Sequence, residues 1–156
     1  PYREKIGNRV YGCDTCQQVC PYNRGVNFHN HSEMEPDPEK VKPELRMLLN
    51  LSNREFKDQF GEMAGSWRGK KPIQRNAIIA LGNYKDVASV DGLIDSLLKD
   101  PRPVIRGTAA WALGRIAKSH LEVLEKVKDS FTRALNYEKD EQVIKEIEHS
   151  NSYLIN

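Results

Sequence analysis

The sequence has no apolar run near the roughly 18 residues that a bilayer span needs, and no secretory pattern at its start. Nor does it carry an excess of one charge: 24 Lys and Arg stand against 22 Asp and Glu, a formal net charge of +2. Nucleic-acid binding must therefore come from local clustering of basic residues, not from bulk charge. Pro1 stands where an initiator Met would, as expected of a fragment or a processed product. Cysteine is equally scarce, with three residues in 156, all between positions 13 and 20. An odd, tightly spaced set fits a disulfide framework badly, which leaves metal ligation or redox chemistry in a reducing, cytoplasmic compartment. What remains is 38% hydrophobic and 29% charged, the balance of a soluble chain with room for one ordinary domain and a small appendage.

The chain divides near residue 43. Residues 1–42 hold the cysteines and a stretch rich in Pro, Asn, His and acids with no apolar period. Residues 43–156 read as successive helices, with no strand pattern. Ser52 and Glu55 form a capping box, and Leu51 is placed to staple onto Phe56. Phe56, Phe60 and Met63 share one helical face. Pro72 suits a first helical turn, and Gly82 is placed to end that helix. Val90, Leu93, Ile94, Leu97 and Leu98 step by three and four. Asp100 is placed to cap the next helix, and Ser119 with Glu122 makes a second capping box ahead of Leu124, Val127, Phe131 and Leu135. Val143, Ile144 and Ile147 mark a last segment.

Two segments match. "IQRNAIIALGN" at 73–83 aligns with "IRGTAAWALGR" at 105–115, a shift of 32 residues. Helix pairs repeating at this interval indicate an all-α solenoid, and they resemble HEAT repeats of the short kind. "DEQVIKEI" echoes the start of the second copy as a degenerate terminal repeat. An ordinary bundle with a chance match is the competing architecture. The solenoid reading places Ala77, Leu81, Leu93, Leu97, Ala109, Trp111 and Leu113 largely inside.

The cysteines follow the pattern Cys13-x2-Cys16-x3-Cys20-Pro21. Ferredoxin-type clusters use C-x2-C-x2-C-x3-C-P, in which the fourth cysteine serves the other cluster of a pair. Cys13, Cys16, Cys20 and Pro21 match its last positions, while Val10 occupies the first and cannot ligate iron. Three thiolates are too few for one all-cysteine [4Fe–4S] cube. One reading is a zinc tetrahedron completed by His29 or His31. A thioredoxin-like pair lacks its βαβ context. The third reading, which the Cys-Pro ending favours, has the missing cysteines outside this chain.

Taken together, "GCDTCQQVCPYNR", "GSWRGKKPIQRNAIIALGN" and "DPRPVIRGTAAWALGRI" resemble the epoxyqueuosine reductase family, from about residue 8 to residue 118. The resemblance implies the C-terminal part of an iron–sulfur and cobalamin enzyme that reduces epoxyqueuosine to queuosine in tRNA. It implies that Cys13 and Cys16 ligate one [4Fe–4S] cluster and that Cys20 crosses to the other. It places the cobalamin domain, the catalytic acid and the first cysteine motif outside this chain, so no catalytic residue is expected here. The implied partners are the tRNA anticodon stem-loop and an electron donor, with no membrane and no DNA. A non-enzymatic HEAT-like scaffold for RNA or protein, with a zinc-filled or vestigial cysteine site, is the alternative.

One basic cluster stands out. "SWRGKKPIQR" carries Arg68, Lys70, Lys71 and Arg75 without an acid, just ahead of a helix whose N-terminal amides favour phosphate. Arg106 stands near the matching place in the next repeat, which predicts a basic ridge along the solenoid. Trp67 is placed to stack on an unpaired base. A solvated basic turn with Trp67 over the core is the plainer reading.

Overall fold

The structure is a computed structural model that describes residues 2–26, 32, 35 and 37–155. Helices dominate, and no strand occurs among the described residues. Short helices come first: α1 (Arg3–Ile6), α2 (Thr15–Val19), α3 (Pro38–Val41), α4 (Met47–Asn50) and α5 (Asn53–Phe60). The long ones follow: α6 (Lys70–Tyr84), α7 (Val90–Lys99), α8 (Pro103–Ser119), α9 (Leu124–Leu135) and α10 (Glu141–Ile155). None is long and apolar enough to cross a membrane.

The two matched segments are the bodies of α6 and α8, which lie side by side with α10 as one layer. Helices α7 and α9 cover its other side, so each repeat is a helix pair stacked on its neighbour. Ile78, Leu81, Leu93, Leu97, Leu113, Ile116, Phe131 and Ile147 fill one continuous core. A second cluster of Leu48, Leu51, Phe56, Phe60, Ile73 and Ala77 joins α4 and α5 to the first repeat. The Ser52 hydroxyl accepts from the Glu55 N–H at 3.1 Å while the Glu55 carboxylate accepts from the Ser52 N–H at 2.7 Å, the reciprocal box expected at the start of α5.

Four local expectations are corrected. Gly82 does not end its helix: α6 runs on to Tyr84 and closes at Lys85 in the left-handed conformation. Gly82 is there for close approach, since an ideal Cβ on it would lie 2.9 Å from the Trp111 ring and 3.0 Å from the Ala112 Cα. Ser119 caps nothing, being the last residue of α8; His120 takes the extended conformation, and a 3₁₀ turn at Leu121–Val123 precedes α9. Asp100 does not cap α8 either, for Arg102 holds that position and the Asp100 carboxylate accepts from its backbone N–H at 2.9 Å. Trp111, expected inside, is half-buried. Its ring is larger than the side chain of Ile79, its repeat equivalent, and two guanidiniums cover it, those of Arg3 and Arg115, each 5.4 Å from the centroid. Ala77, Leu81, Leu93, Leu97, Ala109 and Leu113 are buried as expected.

Candidate functional site

The three cysteines lie on and around one short helix. Cys13 precedes α2, Cys16 lies in its first turn, and Cys20 caps its C-terminus before Pro21 opens a 3₁₀ turn. All three are free; Cys13 and Cys16 are exposed and Cys20 half-buried. The Thr15 hydroxyl, 3.1 Å from the Cys13 sulfur, and the Thr15 backbone hold the Cys13 thiol below its ordinary pKa. Cys13 lines a cleft of about 940 Å³ whose apolar wall includes Val10, Leu45, Phe60, Met63 and Ile73. Val10, at the first position of the cysteine pattern, packs against the second core cluster. Among the described residues no three His, Cys, Asp or Glu side chains gather closely enough to hold an ion. His29 and His31, the zinc alternative, lie outside the described residues. Exposed soft thiols with one lowered pKa suit iron–sulfur ligation, as part of a set shared with other thiolates.

The basic segment divides into two kinds of residue. Trp67 is 77% exposed and the Arg68 guanidinium lies 4.8 Å over its ring, so Trp67 does not cover the core. The side chains of Lys71 and Arg75 have no hydrogen-bond or ion-pair partner among the described residues. They line a groove of about 480 Å³ along the α6, α8 and α10 layer, with Arg3, Arg102, Asp140 and Glu146. The Lys70 ammonium is occupied, donating to the Leu51 carbonyl.

Arg106 is turned away from any ridge. Its guanidinium donates to both Glu138 carboxylate oxygens at 2.6 and 2.7 Å and to the Asp100 carbonyl at 3.0 Å. Shifted by 32 residues it corresponds to Gln74, which is buried and donates to the Leu49 carbonyl at 2.6 Å. In both repeats this position is spent on a backbone carbonyl of an earlier segment, Leu49 of α4 for Gln74 and Asp100 ahead of α8 for Arg106. Arg106 therefore drops out of the basic surface.

Hydrogen bonds from Arg106 bring the Glu138 carboxyl down from 4.5 to about 2. A carboxyl whose folded pKa is lowered stabilises the fold above its unfolded pKa, and that contribution fades as pH falls from about 4.5 through 2. Arg106→Met should cost roughly 2–3 kcal/mol at pH 7, because the Glu138 carboxylate, with its side chain 6% exposed, loses its guanidinium partner and keeps the Lys139 and Asp140 N–H donors. Denaturation at a series of pH values should show that deficit shrinking below about pH 4.5. A deficit independent of pH would mean the pair contributes only packing.

A family model for HEAT repeats matches residues 68–150. Epoxyqueuosine reductase from Listeria monocytogenes is 63% identical over 146 residues, 94% of this chain and 37% of that protein. The Bacillus subtilis epoxyqueuosine reductase is 60% identical over 94% of this chain and 36% of its own length. A crystal structure of epoxyqueuosine reductase with an epoxyqueuosine-modified tRNA-Tyr stem loop superposes with a TM-score of 0.88 at 56% identity, covering 99% of this chain and 40% of that one. The chain thus spans well under half the length of these curated relatives.

Proposed function

Because the chain belongs to the HEAT-repeat family and is related along 94% of its length to epoxyqueuosine reductases, we propose that it is the part of such an enzyme that supplies cluster ligands and a tRNA-facing helical domain. The observation that carries this reading is three free thiols at cluster spacing on and around one short helix, in a chain that matches those enzymes from the cysteines through the repeats. Residues 1–42 belong to the cluster module and its connecting loop, and residues 43–156 to the helical domain. Cys13 and Cys16 hold one [4Fe–4S] cluster together with thiolates from outside this chain, and Cys20 reaches the other. The clusters, when bound, supply one-electron transfer, and cobalamin supplies a redox-active cobalt centre.

The reaction removes the epoxide oxygen of epoxyqueuosine as water, which takes two electrons and two protons from an external reductant and the solvent. The residues of this chain supply cluster ligands and bind RNA, and among the described residues none pairs a nucleophile with a base. A tRNA substrate and a reduced thiol set go together with a cytoplasmic location.

Arg68, Lys71 and Arg75 are the charges left free for phosphate, with Trp67 exposed beside them for an unpaired base. Lys70 adds charge at the first turn of α6 while holding the Leu51 carbonyl, so it is left unchanged in the test. Neutralising Arg68, Lys71 and Arg75 together in the full-length protein should weaken tRNA binding for all sequences alike. The salt slope should fall by about 0.7–0.9 for each phosphate that is no longer neutralised. Unchanged affinity and an unchanged slope in a salt titration would make this segment an ordinary solvated turn.

A further inference from the structure

Among the described residues ahead of Cys13 the helix is the four-residue α1, which buries no residue of its own and is held by groups from elsewhere in the fold. Side-chain amides of α6 provide them. Asn83 donates through Nδ2 to the carbonyls of Arg3 and Gly7 at 2.9 and 2.7 Å. Asn76 donates through Nδ2 to the Val10 carbonyl at 2.8 Å. Seven residues separate the two asparagines, which puts them on one face of α6 about 10 Å apart. The Tyr84 hydroxyl accepts from Asn8, and an ideal Cβ on Gly65 would lie 2.1 Å from the Tyr11 ring, so only glycine leaves room for it. The Arg3 side chain runs over Trp111 to an ion pair with Glu146 at 2.8 Å.

The repeat shows that these amides are not needed to build the solenoid. Thirty-two residues on, Asn76 and Asn83 become Thr108 and Arg115. Thr108 turns its hydroxyl to the Val104 carbonyl of its own helix, and Arg115 pairs with Glu4. Asn76 stands in the interior of α6, where asparagine is a poor choice because its side chain competes for backbone groups, and Asn83 stands in the last turn. In α6 both amides are spent on the backbone of residues 3–10, a segment that Arg115 reaches only through the Glu4 side chain.

We propose that Asn76 and Asn83 are positioning residues for the cluster ligands Cys13 and Cys16. By clamping the carbonyls of Arg3, Gly7 and Val10, they fix where the following loop presents its thiolates against the helical layer. This rests on the cluster reading above. A cluster held by a loosened loop samples more orientations and more water, which changes its electronic environment.

The test uses the full-length protein as wild type, as the Asn76→Ala/Asn83→Ala double variant and as Asn83→Asp. Aspartate keeps the shape of Asn83 but turns a carboxylate toward two carbonyls. Backbone amides of residues 6–20 should exchange roughly tenfold or more faster in both variants, with α7 to α9 still protected. The electron paramagnetic resonance signal of one reduced cluster should broaden or move in midpoint potential, while the other stays as in wild type. An unchanged signal overturns the proposal, whatever the exchange shows, as does Asn83→Asp behaving like wild type. Loss of protection spread evenly over the helices also overturns it, since that is a folding role. A wild-type protein with no iron–sulfur signal removes the cluster reading itself, a separate failure.

Discussion

In the full-length protein, Cys20→Ser should abolish one iron–sulfur cluster and leave the other, lowering bound iron and sulfide by about half. The expectation follows from where α2 puts its sulfurs. Cys13 and Cys16 lie before and within its first turn, on the exposed side. Cys20 sits at the opposite end of the helix, in an extended conformation that leads into Pro21, and is half-buried. A serine hydroxyl is a poor ligand for iron compared with a thiolate, so each substitution removes a soft donor without altering the fold of a five-residue helix. Cys16→Ser should remove the cluster that Cys20→Ser spares, and the double variant should lose both. Iron and sulfide analysis with electron paramagnetic resonance of each variant separates the cases. If Cys16→Ser and Cys20→Ser erase the same signal, the three cysteines serve one site and the divided ligand set is wrong.

Leu97→Ala should lower the stability of the helical domain by about 2–5 kcal/mol. Leu97 is 1% exposed on α7 and belongs to the core cluster with Leu93, Leu113 and Ile116. That core is shared between repeats, so a cavity there weakens one helix pair and also its interface with the next. The control is Leu121→Ala on a side chain 75% exposed in the turn before α9, for which a change within about 0.5 kcal/mol is expected. Chemical denaturation of the two variants decides. Equal, small effects would mean that the layers do not pack as a continuous core.

Much of this architecture was legible in the sequence, because it depends on local patterns. The Ser52–Glu55 box needs only four residues, and it is present. The 32-residue match marks α6 and α8 because both bury the same face in the same way. The misread positions share a different cause. Ser119 and Asp100 have the chemistry of caps, but the neighbouring turns place His120 and Arg102 at the helix boundaries. Gly82 looks like a helix stop and is a contact point for α8, which sequence spacing cannot distinguish.

The candidate site divides in the same way. Cysteine spacing is local and visible; the clamp from Asn76 and Asn83 joins residues 66 to 80 positions apart and leaves no short-range signal. A comparison of the two repeats, which shows asparagine only in the first, was the one trace available. Arg106 illustrates the converse error. Its charge suggested a surface for RNA, yet it is spent on Glu138, 32 positions away, and on the Asp100 carbonyl.

The most direct measurement is turnover of an epoxyqueuosine-containing anticodon stem-loop by the full-length, anaerobically reconstituted protein with cobalamin and a strong one-electron reductant. Mass spectrometry of the digested nucleosides should show queuosine in place of epoxyqueuosine, a loss of one oxygen, with turnover absent in the Cys13→Ser and Cys20→Ser variants. A protein that takes up iron, sulfide and cobalamin yet leaves the epoxide intact, or one whose turnover survives both substitutions, would contradict the account.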